Sequence, residues 1–304
     1  MIRHFYHLVI FSAFIFALPA VAQIKPTLVP ASVTTQLPAL TDIQARADTK
    51  TIVAKKLILV GDSTTQVGSG WGGAFCSSHV TSVIACVNLG RGGRSTFSYR
   101  AEGSWDLALS EMKAPGFAPV YVLIQFGHND QPGKPGRSTD LATEFPANLR
   151  AYVSDVRAAG AIPVLVTPLT RRAFKNGSLQ DDLEPWAQSV RDVARDMKVP
   201  LVDLHAVSVA AVQAMGARQA IDLAETAAPP ELLAAADTGT TISAPKAASP
   251  AVPTRTEVTE GPQAHPTIVF DYTHLGPKGA ELFSSEVAAE LARRIPDLQP
   301  DLIP

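Results

Sequence analysis

Cysteine is scarce in this sequence: Cys76 and Cys86 are the only two among 304 residues. Two thiols cannot build a disulfide scaffold or a four-cysteine zinc site. A surplus of positive charge is missing as well. With 26 Lys+Arg against 28 Asp+Glu the formal net charge is −2, so no basic face for nucleic acid is expected. The most apolar stretch, Leu8–Leu18, has 11 residues, short of the ~20 that a membrane-spanning helix needs. Hydrophobic residues, by contrast, make up 46% of the chain, which excludes wholesale disorder and allows a large core. The length fits two domains of ~150 residues or one large α/β domain.

Residues 1–22 read as a signal peptide. Arg3 supplies the positive end, Leu8–Leu18 the apolar segment, and Pro19-Ala20-Val21-Ala22 the small-x-small cleavage pattern. The expectation is an exported protein, periplasmic or secreted, with no stable membrane anchor; an uncleaved anchor is the competing reading. Export changes the outlook for the cysteines. Cys76 and Cys86 lie ten positions apart and a bridge between them would persist in an oxidising compartment. The alternative is a free, buried Cys86 inside the apolar run Val83–Val87.

Residues 23–50, rich in Pro, Thr and Ala, read as an arm or linker. Residues 51–296 read as one domain, and 297–304 as a tail. Within the domain, β-branched runs recur at Lys56–Val60, Val83–Asn88, Val120–Phe126, Ile162–Val166 and Pro200–Leu204. Their near-continuous apolarity fits strands covered on both faces, which means a parallel sheet of five strands. Helical stretches fall between them, clearest at Ala142–Ala159 and Asp182–Met197. In the second, Leu183, Trp186, Val190, Val193 and Met197 form one stripe. Alternating strands and helices imply a three-layer α/β/α sandwich. Ala224–Ala264 breaks the rhythm and reads as an insertion, either a lid or a poorly ordered segment. Thr267–Phe270 and a helix from Pro277 to Arg294 close the domain.

Ligands of open parallel sheets bind beyond the carboxyl ends of the strands. Gly61-Asp62-Ser63-Thr64 follows the first strand and Asn88-Leu89-Gly90-Arg91-Gly92-Gly93-Arg94-Ser95 the second. Gly127-His128-Asn129-Asp130 follows the third, and Asp271-Tyr272-Thr273-His274 follows Thr267–Phe270. All four should meet on one rim, and their residue types fit acyl transfer. Ser63 is a nucleophile once a base takes its proton, His274 titrates near neutrality, and Asp271 can hold the imidazole's tautomer. The N–H groups of Ser63 and Gly93 with the Asn129 amide can form an oxyanion hole. Gly93, with no Cβ, lets its N–H approach closely.

Gly61-Asp62-Ser63, Gly93, Asn129 and Asp271-x-x-His274 resemble the conserved blocks of the SGNH (GDSL-type) hydrolases. Several further segments are similar to the rhamnogalacturonan acetylesterase branch: Arg91-Gly92-Gly93-Arg94-Ser95, Glu102-Gly103-Ser104-Trp105, Gln125 to Asp130, Thr167-Pro168 with Arg171-Arg172, and Asp271 to Leu275 with Lys278-Gly279-Ala280. The resemblance implies a flavodoxin-like fold, no cofactor or metal, and removal of O-acetyl groups from an acetylated pectic polysaccharide. It covers Lys56–Val209 and Ile268–Leu291. The Ala224–Ala264 insertion departs from the family pattern and leaves the cleft's shape open. Beside this reading stand a broad-specificity carboxylesterase or lipase-like hydrolase and a non-catalytic polysaccharide-binding protein. Oligomeric state is not legible.

Four more residues are candidates for substrate contact. Arg94, His128 and Asp130 flank the oxyanion donors, and an arginine on the rim suits an acidic sugar; support of the loops is the alternative role. Trp71 lies in Gly68-Ser69-Gly70-Trp71-Gly72-Gly73 and could be a sugar platform or plain packing. That run satisfies GxGxxG, but it begins eight positions after Val60 and no acidic residue occurs between Ser63 and Glu102. Dinucleotide binding is therefore excluded. Asp203 with His205 is a rival pair, read as core or cap.

Overall fold

The computed structural model describes residues 53–242 and 269–304. The expected signal peptide, the arm and most of the insertion lie outside the described residues. Five parallel strands form the central sheet: β1 (Ala54–Gly61), β2 (Ile84–Asn88), β3 (Phe117–Gln125), β4 (Ile162–Val166) and β7 (Leu201–Val202), in the order β2-β1-β3-β4-β7. A small antiparallel hairpin, β5 (Phe174–Lys175) and β6 (Ser178–Leu179), stands apart from it. Pairing sets Leu57 against Cys86 on one side of β1 and against Tyr121 on the other.

Alternation along the strands builds two cores. Leu57, Leu59, Tyr121, Leu123, Val164 and Val166 face one side of the sheet. Helices α1 (Gly72–Ser78), α6 (Leu204–Ala220) and α8 (Pro277–Arg294) cover that side through Phe75, Val212, Phe283 and Val287. Ile58, Val60, Val122, Ile124 and Leu165 face the other side. There α3 (Ser104–Met112), α4 (Glu144–Ala158) and α5 (Glu184–Met197) pack through Trp105, Tyr152, Val153, Trp186 and Val190, and the short α2 (Ser98–Ala101) adds Tyr99. Each such side chain stabilises the fold by roughly 1.5–3 kcal/mol through burial. The expected three-layer α/β/α sandwich with a five-stranded parallel sheet is what is found.

Three boundaries need correction. The last strand ends at Val202, because Asp203 accepts from Ala206 N–H and starts α6. The first part of the insertion is folded: Pro230–Asp237 forms α7, with Leu232 and Ala236 buried in the core. Residues 297–304 are no tail. Leu298 is fully buried, and Ile303 donates its N–H to His79 O at 2.9 Å. Cys76 on α1 and Cys86 on β2 are joined by a disulfide, their Cα atoms 5.5 Å apart. Closing so short a loop contributes ~2–3 kcal/mol in the chain-entropy picture. Among the described residues, no helix is long and apolar enough to cross a membrane.

Candidate active site

β1 delivers Ser63 into a tight turn whose own side chains set its shape. Thr64 donates its N–H and its hydroxyl to Asp62 Oδ1 at 2.9 and 2.8 Å. The N–H groups of Thr65 and Gln66 donate to Asp62 O at 3.1 and 3.0 Å. A Cβ on Gly61 would sit 2.7 Å from Gln125 O, so only glycine fits between the turn and β3. Gln125, fully buried at the end of β3, accepts from Thr65 Oγ1 at 2.5 Å and from Trp71 Nε1 at 2.9 Å, and donates to Thr167 O at 3.3 Å. It ties the nucleophile turn to α1 and to the loop after β4.

The loop after residue 269 brings in the imidazole. Asp271 Oδ1 accepts the N–H groups of Thr273 and His274 at 2.7 Å each, which folds Asp271–His274 into a turn. Asp271 Oδ2 lies 2.5 Å from His274 Nδ1, and His274 Nε2 lies 2.9 Å from Ser63 Oγ. Sequence separation between the last two residues is 211. Burial alone would raise the Asp271 pKa, but the hydrogen bond and charge of His274 and two backbone N–H groups bring it down to about 2. For His274 burial works toward a lower pKa. The Asp271 hydrogen bond and charge, with Glu225 and Asp62 adding, outweigh it and raise the value above 6.5.

Two further residues hold this turn in place. Arg172 is 1% exposed, and its guanidinium donates to the carbonyl oxygens of Asp271, Thr273 and His274 at 3.3, 3.2 and 2.8 Å. Ser69 donates its hydroxyl to Ser63 O at 2.9 Å, while its own carbonyl accepts from Leu275 N–H at 2.8 Å. Sequence reading missed both roles. Arg172 lies in the Thr167–Arg172 segment quoted for the family resemblance, but only long-range contacts reveal that it collects three carbonyls.

The proposed anion donors surround Ser63. Gly93 has φ +78° and is held by Gln66, whose Oε1 accepts from Gly92 N–H at 2.7 Å. Among the described residues, the N–H groups of Ser63 and Gly93 have no hydrogen-bond partner, the condition an oxyanion hole requires. Asn129 is 6% exposed and spends one amide hydrogen on Arg94 O at 3.0 Å, which leaves the second.

The expected substrate contacts fare differently. Trp71 is fully buried, its indole N–H on Gln125, so the sugar-platform reading is corrected to core packing. The cause is the glycine run around it. A Cβ on Gly70 or Gly72 would lie 2.4 or 2.2 Å from backbone of Thr64 and Thr65, so the start of α1 sits directly on the nucleophile turn and carries the indole inside. His128, 3% exposed, faces Asp62 with Nδ1 3.5 Å from Oδ2. Asp130 is fully buried and accepts from Thr96 N–H, Thr96 Oγ1 and Thr139 Oγ1 at 3.0, 2.5 and 3.0 Å; burial pushes its pKa up to about 7. Both lie inside the loop rather than on its rim: Asp130 ties it to Thr96 and Thr139, and His128 turns inward to Asp62. Of the four, Arg94 alone stays on the rim, paired to Glu102 at 2.8 Å.

The rival pair is separate. Asp203 pairs with Arg191 at 2.8 Å, and His205 Nε2 turns instead to Asp181 and Glu184 at 2.9 and 3.3 Å. Among the described residues these last three are the one group with the spacing of metal donors. Arg191 at 2.7 Å already pairs with Glu184, and His205 Nδ1 lies 3.0 Å from Pro168 O, so the group is also a connected polar network.

Comparison with known proteins agrees with this geometry. Residues 59–223, more than half of the chain, match the GDSL-like lipase/acylhydrolase family, and the chain belongs to it. It is thereby an ester hydrolase of the SGNH type. The match contains Ser63, Gly93 and Asn129 but ends before Asp271 and His274, which the fold brings back to them. The chain is 32% identical over 165 residues to a probable rhamnogalacturonan acetylesterase, YesY, of Bacillus subtilis, covering 52% of this chain and 74% of that one. It is 34% identical over 169 residues to the rhamnogalacturonan acetylesterase RhgT of the same organism, covering 53% and 69%. The crystal structure of protein YXIM from Bacillus subtilis superposes with a TM-score of 0.56 at 19% identity, over 80% of this chain and 57% of that one, a likeness of fold.

Proposed function

We propose that this protein is an exported carbohydrate esterase that removes O-acetyl groups from pectic polysaccharide of the rhamnogalacturonan type, through an acetyl-enzyme on Ser63. The 2.9 Å contact of Ser63 Oγ with His274 Nε2, backed by Asp271, carries the reading; the names of the two Bacillus relatives support the substrate class. His274 takes the Ser63 proton as Oγ bonds to the acetyl carbonyl carbon. The oxyanion accepts from Ser63 N–H, Gly93 N–H and the Asn129 amide. His274 then gives the proton to the departing sugar oxygen. Water then bonds to the acyl carbon as His274 removes its proton, the acyl–Oγ bond breaks as His274 returns that proton to Oγ, and acetate leaves with Ser63 restored.

Acetate release from acetylated pectin, acetylated xylan, a small acetyl ester and a long-chain acyl ester tests the assignment. The pectic polymer and the small ester should be turned over, and the long-chain ester should not. Preference for long acyl chains would make the protein lipase-like; glycan binding without acetate release would make it a binding protein. Export rests on residues 1–22. Expressed in full length in a bacterium, the exported chain should begin at Gln23 by mass spectrometry. Recovery of intact Met1 on cytoplasmic protein would overturn export.

A further inference from the structure

The cations around the oxyanion loops are not equally neutralised. Arg91 and Arg94 share Glu102, at 3.7 and 2.8 Å. Arg171 is paired with Asp182 and donates to Gln131 Oε1 at 2.9 Å. Lys134 and Arg137 differ. Lys134 Nζ donates to His128 O at 2.5 Å and Arg137 Nη1 to Gly93 O at 3.3 Å, and among the described residues neither has a carboxylate partner. Arg137 Nε is buried and, among the described residues, has no hydrogen-bond partner. Burial, then the charge of Arg171, and further that of Arg137, push the Lys134 pKa down, against the more distant charges of Asp62 and Asp182. Among the described residues, two part-buried like charges are thus held together with no carboxylate in direct contact with either.

Their carrier is rigid. The loop between Asp130 and Thr139 is closed at its base by Thr139 N–H on Asp130 O at 2.9 Å. Ser138 Oγ accepts from Lys134 N–H at 2.9 Å and donates to Gln131 O at 2.8 Å, and Pro132 and Pro135 restrict the rest. The loop also sits at the reaction centre: a Cβ on Gly93 would lie 3.2 Å from Arg137 Nη1. A ligand whose carbonyl oxygen rests on Gly93 N–H is therefore within reach of this guanidinium. A rigid pair of cations with donors to spare matches a carboxylate, which arginine binds through two parallel hydrogen bonds.

We propose that Lys134 and Arg137 form a carboxylate-recognition site beside the oxyanion loop, selecting glycans that carry a uronate next to the acetylated hydroxyl. This deepens the deacetylase reading and rests on it for the reaction, though not for the binding. The probe is an unacetylated oligogalacturonate, tested as an inhibitor of small-ester hydrolysis by the full-length protein. The wild type should be inhibited competitively, and less so as salt is raised. In the double variant Lys134→Gln/Arg137→Gln the inhibition constant should rise about 10–100-fold, as expected when charge-assisted hydrogen bonds are lost. Lys134→Arg/Arg137→Lys should restore part of the affinity. The ratio of kcat/KM for acetylated pectic over acetylated xylan oligosaccharide should fall in parallel.

Equal inhibition of wild type and double variant, or an unchanged ratio, would overturn the site. If the double variant loses all esterase activity, calorimetric titration with oligogalacturonate replaces inhibition and decides in the same way. Binding that depends on the two cations, without acetate release from any glycan, would support the site and sink the deacetylase reading instead.

Discussion

Ser63→Ala should lower turnover of a small acetyl ester by roughly 10⁴–10⁶-fold while the protein stays folded. Among the described residues the hydroxyl has one partner, His274 Nε2 at 2.9 Å. The turn around it is held by other groups: the Asp62 side chain, Ser69 on Ser63 O, and Gln125 on Thr65. Removing Oγ therefore deletes the nucleophile and one hydrogen bond, about 1 kcal/mol of stability. What remains is the oxyanion hole, which can still polarise a carbonyl for attack by water, so a small residual rate is expected. Steady-state kinetics with a thermal melt of the same sample gives the answer. Unchanged turnover in a folded variant would mean that the nucleophile is elsewhere.

Asp271→Asn should cost nearly as much, roughly 10³–10⁴-fold in kcat, and it should also move the pH profile. The base must be neutral to accept the Ser63 proton, so activity rises with pH through the His274 pKa. That pKa lies above 6.5 because the Asp271 hydrogen bond and charge outweigh burial. Taking the charge away leaves burial dominant, so the acid limb of kcat/KM should shift to lower pH even as the rate falls. Asparagine can still accept the N–H groups of Thr273 and His274, but its NH₂ facing Nδ1 favours the tautomer that points a proton at Ser63. The Asp271 carboxyl itself, at about 2, stays ionised over the working range. An acid limb that stays put or moves upward would refute this electrostatic account.

Much of the fold was legible because parallel strands buried on both faces leave continuous apolar runs. Ile162–Val166 and the helix Pro277–Arg294 were read to the residue. Short elements were harder. In α7 only Leu232 and Ala236 are buried within an alanine-rich stretch, too little periodicity to distinguish a helix from filler. The final segment owes its place to Leu298 and Leu302 meeting α8 and the end of α1, contacts no local pattern announces. At the site, residue types at strand ends indicated which loops converge. They could not show which polar groups face inward, so His128 and Asp130 stand in the sequence as either substrate contacts or loop supports, and their burial favours the second. Arg172 was hidden for the same reason: a guanidinium that binds backbone carbonyls leaves no complementary acid in the sequence to mark it.

Ser69 gives the site a short mechanical path. Through it the backbone at position 63 and the backbone at position 275 are joined by two hydrogen bonds, so the spacing of nucleophile and base is gauged locally. Arg172, in the stretch of chain between them, braces the same turn through the carbonyl oxygens of Asp271, Thr273 and His274. Loosening the backbone at Ser69 would therefore be felt by nucleophile and base together.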